Sequence, residues 1–400
     1  MLRRLFSALS PDQWWITLAV FLAGFAEGLW LNLQSLYIEF LGARPDEIGA
    51  ALGLAGVLVI FVYLPSGFLA DRGRRKVLIL WAWALTVVAL LLQTFAFDWR
   101  WAVPGLALYL MASFARPALS AQIAASDRSG NVSRAFAITS ISYSIGAMLS
   151  PAVGGWVAEQ FNLRAVFFTS AVFYFLSLLC VLPLSNPPPE ARTRPVRLGR
   201  LLSDRWFMWQ IVVVMVITFS LNVGVTLAPN YLQDVKGLSL QQIGQLGTVA
   251  AIGGMVLTVA LGQMSSQRRR SLLIAQLMVA AALIMLIGSP AITAGALPFT
   301  LSAAYFLRGG VDATWAPIAG RLSAWLPPEV LSLGFAFRDT AVRIALTLAP
   351  VLAGQLYTAD PAYPLYAGAA SLIVTMLLTL TLPRRRPHAP SVAEAPLPSN

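Results

Sequence analysis

Gly67-Phe68-Leu69-Ala70-Asp71-Arg72-Gly73-Arg74-Arg75-Lys76 is a short, charged turn joining two apolar runs, 48–70 and 77–97. Each run is close to the ~20 residues that carry a helix across ~30 Å of hydrocarbon. A loop of this kind cannot lie inside lipid, so it marks a membrane surface, with a spanning segment entering and leaving there. Runs of similar length recur along the whole chain: 14–41, 102–126, 135–161 and 165–184 complete a first group of six. A second group lies at 207–234, 243–265, 272–293, 297–326, 331–358 and 365–382.

Composition fits this pattern. Of 400 residues 58% are hydrophobic and 11% charged, against roughly 25% charged in soluble domains. Lipid offers backbone amides no partner, so spanning segments must be helices or closed barrels. Alternating ten-residue strands are absent, which leaves helices. The expected fold is an all-α membrane protein of twelve transmembrane helices in two six-helix bundles, 1–184 and 206–383. A cytoplasmic linker, 185–205, carries Asn186-Pro187-Pro188-Pro189 and five arginines, and a disordered cytoplasmic tail, 384–400, is rich in Pro, Ala and Ser. The first run comes after Arg3-Arg4 without a small-residue cleavage site, so it is expected to be a retained helix rather than a removed signal.

The net charge of +11 is explained by position. With the N-terminus cytoplasmic, twenty of the 28 Lys and Arg residues fall on the cytoplasmic side, four on the other side and four inside helices. This positive-inside bias places both termini in the cytoplasm and needs no nucleic acid. The expected location is the bacterial inner membrane. Cys180 is the only cysteine and lies in an apolar run; His388, the only histidine, lies in the polar tail. Neither supports a disulfide or a metal set, and no metal or cofactor is expected.

The two groups repeat one another. At an offset of 195, Gly42, Ile48, Gly49, Gly67, Arg74 and Arg75 fall on Gly237, Ile243, Gly244, Gly262, Arg269 and Arg270. At an offset of 199, Phe136, Ala137, Pro151 and Gly155 fall on Phe335, Ala336, Pro350 and Gly354. Two like-oriented halves create a midplane interface that can open to either side in turn, as in secondary transporters.

The stretch from Gly67 to Lys76 resembles the signature loop of the major facilitator superfamily, a Gly followed by Asp-Arg and Gly-Arg with basic followers. It departs from that pattern in having no residue between Asp71-Arg72 and Gly73-Arg74. The resemblance implies that Gly67, Asp71, Arg72, Gly73, Arg74 and Arg75 form a cytoplasmic gate that stabilises the outward-open state. In the fifth helix, Gly146, Ser150, Pro151, Gly154 and Gly155 are similar to the family's antiporter motif, with Ser150 where a glycine is usual. That likeness implies proton-linked efflux; the same residues would also serve ordinary tight helix packing.

Charged side chains at the bilayer centre cost at least ~2.5–3.5 kcal/mol and are functional candidates by default. At ~1.5 Å per residue, Glu27, Arg116, Arg308 and Asp312 all fall near the midplane. Spacing places Glu27, Trp30 and Gln34 on one stripe, Ser113 and Arg116 on a second, Asn222 and Thr226 on a third, and Arg308, Asp312 and Trp315 on a fourth. These stripes lie on helices 1, 4, 7 and 10, which line the central cavity in the resembled family. Glu27 and Asp312, with Arg116, are the candidates for proton coupling. A permanent Arg308–Asp312 pair and a structural hydrogen bond to Glu27 are the alternatives. Trp30 and Trp315 suit either a substrate ring or the core.

The expected function is secondary active transport by alternating access, proton-coupled and directed to efflux of small amphipathic compounds. Proton-coupled uptake of a sugar or other metabolite is the alternative within the class. A channel or a non-transporting sensor is the alternative outside it. No nucleophile motif or phosphate-binding glycine loop points to an enzyme. The expected partners are a small-molecule substrate, a proton and membrane lipid, and the chain is expected to act as a monomer.

Overall fold

The computed structural model describes residues 10–70, 75–126, 132–185, 203–264, 268–290, 298–326 and 328–383. The described residues form twelve helical spans. The first half has α1 (Pro11–Leu31 and Gln34–Phe40), α2 (Pro45–Ala70), α3 (Arg75–Thr94), α4 (Trp99–Met111, a 3-10 turn Ala112–Ala115, then Arg116–Ser126), α5 (Val132–Gln160) and α6 (Leu163–Val181). The second has α7 (Arg205–Val225 and Ala228–Asp234), α8 (Leu240–Gly262), α9 (Arg268–Gly288), α10 (Phe299–Arg308, Gly310–Ala313 and Trp315–Trp325), α11 (Pro328–Ala359) and α12 (Tyr363–Thr381). Among the described residues nine helices are each long and apolar enough to cross a membrane. The two parts of α4, bent by 43°, together make a tenth.

Four spans that read as unbroken in the sequence, 14–41, 102–126, 207–234 and 297–326, are interrupted: α1, α4, α7 and α10. The causes are local. The second part of α7 carries Pro229 in its first turn, where a missing amide hydrogen is tolerated but a continuing helix is not. Pro117 likewise has no amide hydrogen to offer the carbonyl one turn back, and the preceding turn of α4 tightens to 3-10. The breaks obey the repeat: α1 and α7 break at equivalent places, and so do α4 and α10. The two glycines with positive φ, Gly42 (91°) and Gly237 (71°), are equivalents in the repeat as well. Each turns the chain after an interrupted helix, in a backbone region that disfavours a Cβ.

The repeat also organises the interface between halves. α2 packs on α11, and α5 on α8. A Cβ at Gly49 would lie 2.3 Å from the Pro350 carbonyl oxygen and 3.2 Å from the Gly354 Cα. A Cβ at Gly244 would lie 2.5 Å from the Pro151 oxygen and 2.7 Å from the Gly155 Cα. The sequence alignment pairs Gly49 with Gly244 and Gly155 with Gly354, so the two crossings are one contact repeated by the pseudo-twofold. Small residues are required at both because backbone meets backbone. Within each half the first helix packs on the fifth and sixth.

The helix-5 motif serves two faces. Gly146 meets the α1 backbone at Phe21 and Phe25, and Gly154 meets it at Leu29. Ser150 Oγ sits against Gly28, and Gly155 faces α8. The gate residues Asp71, Arg72, Gly73 and Arg74 lie outside the described residues, as do 186–202 and 384–400. Gly67 is helical within α2, and Arg75 opens α3 as a buried side chain.

Candidate substrate-binding site

A cavity of about 640 Å³ lies between the halves, within the ~300–1,000 Å³ usual for small-ligand sites. Glu27, Trp30 and Gln34 of α1, Ser113 and Arg116 of α4, Asn222 and Thr226 of α7, and Arg308 of α10 all line it. Each comes from one of the four interrupted helices, beside or within a turn or two of a break. Discontinuous helices at a midplane site expose backbone and carry polar side chains where lipid cannot reach.

Asp312 and Trp315 are not in the lining. The α10 breaks at Gly309 and Thr314 rotate the remainder of the helix, so residues one and two turns beyond Arg308 leave its face. Asp312 instead lies against α8, where a Cβ at Gly254 would sit 2.7 Å from its Oδ2. Among the described residues no Arg308–Asp312 ion pair within 4.0 Å forms.

Glu27 is held by a tyrosine group. The Tyr143 hydroxyl of α5 donates to Glu27 Oε2 at 2.5 Å. Tyr109 of α4 and Tyr174 of α6 have their hydroxyls 3.4 Å apart, and both Glu27 and Arg116 act electrostatically on Tyr143 and Tyr174. Trp30 stands edge-on to Tyr109 at 4.8 Å. Among the described residues its Nε1 has no hydrogen-bond partner. Gln34 reaches sideways to Gln93 (3.2 Å). The Thr226 hydroxyl donates to the Asn222 carbonyl (2.6 Å).

Arg308 donates from one terminal nitrogen to Asn32 Oδ1 (3.2 Å) and stacks 4.9 Å from the Tyr305 ring. Asn32 sits in the α1 break and also donates to the Ile243 carbonyl of α8 (3.2 Å), so it ties three helices from both halves. Sequence spacing does not single out Asn32, the three tyrosines, or Arg343 of α11 as cavity residues. A signal exists for Tyr109, which is four and seven residues before Ser113 and Arg116 on one helical face. None exists for Tyr174, whose helix carries no charge beyond Arg164.

Hydrogen bonds join the halves at the periplasmic end. Glu159 at the end of α5 accepts from the Leu240 (3.0 Å) and Gln241 (3.4 Å) amides at the N-terminus of α8. Asn230 of α7 donates to Glu39 of α1, and the Ala152 amide to Thr248 Oγ1 (3.1 Å). With the two glycine crossings, these bonds close the halves on that side of the cavity.

Two six-helix halves related by a repeat, enclosing a charged midplane cavity between four broken helices, are the architecture of a secondary transporter in the bacterial inner membrane. Residues 16–309 match the Major Facilitator Superfamily, and the chain belongs to that family. It is similar to the multidrug resistance protein MdtG of Dickeya zeae (strain Ech586), with 28% identity over 80% of this chain and 83% of the relative. It resembles the structure of the nucleoside transporter NupG (TM-score 0.81, 12% identity, 92% of this chain and 99% of the other). It also resembles a bacterial homologue of the human lysosomal transporter Spinster (TM-score 0.73, 14% identity, 92% and 94%).

Proposed function

We propose that this chain is a proton-coupled exporter of small amphipathic compounds, working by alternating access from a state with its cavity turned to the cytoplasm. The observation that carries the reading is Glu27, a carboxylate at the wall of the central cavity, hydrogen-bonded by Tyr143 and within electrostatic reach of the same tyrosines as Arg116. Taking up a proton there removes one charge from a water-poor chamber and changes the relative stability of the access states. Glu27 is the proton carrier in this reading, and Arg116 sets the charge balance beside it. Ser113, Asn222, Thr226, Gln34, Trp30 and Arg308 contact the substrate. Apolar walls from Leu31, Leu52, Leu106 and Val225 take its hydrophobic part. The resemblance to a multidrug resistance protein supports outward transport.

The test is substrate-induced proton release from inverted membrane vesicles carrying a set pH gradient, followed with a pH-sensitive dye. Candidate compounds are expected to discharge the gradient through the native chain and not through Glu27→Gln. Equal discharge by both chains would remove Glu27 from the mechanism. Conductance that rises without saturation would replace the carrier by a channel.

A further inference from the structure

Among the described lining residues arginines outnumber carboxylates, and the excess lies in the second half. Among the described residues Glu27 is the only carboxylate in the lining, and it comes from the first half together with Arg116. The second half contributes Arg308 of α10 and Arg343 of α11, with Asn222, Thr226 and Thr347 as neutral polar groups, and no described carboxylate. Asp312, the acidic residue nearest along α10, is turned to Gly254 of α8. Among the described residues no carboxylate oxygen comes within 4.0 Å of Arg308.

We infer that the second-half wall, centred on Arg308 with Arg343, is the subsite for an anionic group on the substrate, so that the transported compounds are amphipathic organic anions: sulfonates, phosphonates or carboxylates on an apolar body. This rests on the transport reading above and narrows its substrate class.

Three features support it. A guanidinium near the bilayer midplane with no carboxylate in direct contact is costly; Asp312 acts on Arg308 only through space, and the one neutral bond to Asn32 leaves most of the donor fork unused. That fork matches a planar or tetrahedral oxyanion bidentately. Arg308 ends the first part of α10, where a cation is stabilised by the helix dipole. The same cavity is also lined by Leu346 and Pro350 from the second half and Leu31 and Leu52 from the first, which suit the apolar body.

Coupling is affected in turn. Neutralising Glu27 strengthens rather than weakens binding of an anion, because it removes the one repelling charge. Proton and substrate therefore do not compete for one site, and exchange requires them to prefer opposite access states.

The test uses three isosteres of fixed charge, naphthalenesulfonate, naphthalenesulfonamide and naphthyltrimethylammonium, titrated calorimetrically against the detergent-purified full chain. The native protein is expected to bind the sulfonate about tenfold or more tightly than the ammonium. Arg308→Gln should weaken the sulfonate by about tenfold while leaving the sulfonamide within about twofold; Arg308→Lys, which keeps the charge, should retain most of the preference. Arg343→Gln supplies an independent variant should Arg308→Gln not fold. Glu27→Gln should tighten the sulfonate. The inference is overturned by absence of saturable sulfonate binding, by an ammonium bound as tightly as the sulfonate, or by a preference that survives both arginine-to-glutamine changes. Selective sulfonate binding without flux in vesicles would instead retain the anion subsite and defeat the transport reading.

Discussion

Replacing Gly155 by alanine would test whether the α5–α8 crossing is the periplasmic seal. The new Cβ would lie 2.6 Å from the Leu240 carbonyl oxygen, 2.8 Å from the Gly244 Cα and 3.1 Å from the Gln241 Cα. All three are backbone atoms and cannot swing aside. Restoring ordinary contact, from about 3.4 Å outward, needs the helices to part by about 0.8 Å. A gap of that size forfeits a quarter to a half of each dispersion contact along the crossing, and overpacking typically costs ~1–3 kcal/mol. Here the cost falls only on the state in which the two helices touch, so about 5- to 150-fold of population moves toward an open periplasmic end. The readout is labelling of Ser113→Cys, a cavity position, by an impermeant maleimide added outside spheroplasts, in a Cys180→Ala background. Labelling should rise by about tenfold or more in Gly155→Ala. It should stay flat in Gly262→Ala, where nothing lies within 4 Å of the added Cβ. Unchanged labelling of a normally inserted Gly155→Ala protein would refute the assignment of this crossing as the seal.

Gly154→Ala should behave differently, because its Cβ would be 2.0 Å from the Leu29 oxygen inside one half. The expectation is low yield and a melting temperature lowered by several degrees without a change in sidedness of labelling. Glu159→Gln keeps the shape but removes the charge at the α8 N-terminus, worth ~0.3–1 kcal/mol, and should raise periplasmic labelling about two- to fivefold. Lys236, in the α7–α8 turn, donates to the carbonyls of Ile287 and Ser289; Lys236→Met leaves them uncapped and should cost ~1–3 kcal/mol by thermal unfolding. Burial pushes the Lys236 ammonium below its ordinary 10.5, so in the alkaline window below 10.5 the unfolded chain holds the proton more tightly. Native stability therefore gains with rising pH there, and the gap to Lys236→Met should widen.

How much of the molecule is legible in the sequence depends on what range of physics each feature needs. Span number, orientation and repeat come from hydropathy and charge along the chain, and the structure's equivalent glycines Gly42 and Gly237 obey the repeat. Glu27, Trp30, Gln34, Ser113, Arg116, Asn222, Thr226 and Arg308 can be placed on common stripes because each precedes or closely adjoins a break, where the helical period still holds. Asp312 and Trp315 become neighbours of Arg308 only if the period is carried across Gly309 and Thr314, and glycine alone does not announce an interruption in a membrane helix. Asn32 is invisible for a related reason: a lone asparagine gains meaning only when α8 and α10 come from the other half of the chain to meet it. Arg343 stands in the sequence with Arg338 and Asp339 as one charged group. The structure separates them, pairing Arg338 with Asp339 at 2.6 Å and giving Arg343 to the cavity.

The distribution of breaks and glycines amounts to a division of labour. Helices α2, α5, α8 and α11 run unbroken and meet across the halves through small residues. Such contacts are rigid along each helix yet bind by close approach alone, so two bodies can roll on them without rebuilding hydrogen bonds inside either. Helices α1, α4, α7 and α10 are interrupted and carry most of the polar side chains of the cavity wall, which α2, α3, α5, α6 and α11 complete. There the cost of breaking backbone hydrogen bonds is offset by solvent and by side chains such as Asn32, which bonds α8 and Arg308 together. On the reading proposed above, a proton on Glu27 or an anion at Arg308 would act on these four helices first. Arg308–Asn32–Ile243 then links the ligand wall to the start of α8, the element that Glu159 caps and Gly155 crosses. On the transport reading proposed above, Asn32 is one link between occupation of the cavity and closure of the periplasmic end. Asn32→Ala should therefore weaken the dependence of gating on ligand, read as maleimide labelling of Ser113→Cys with and without sulfonate, while leaving the cavity charges in place.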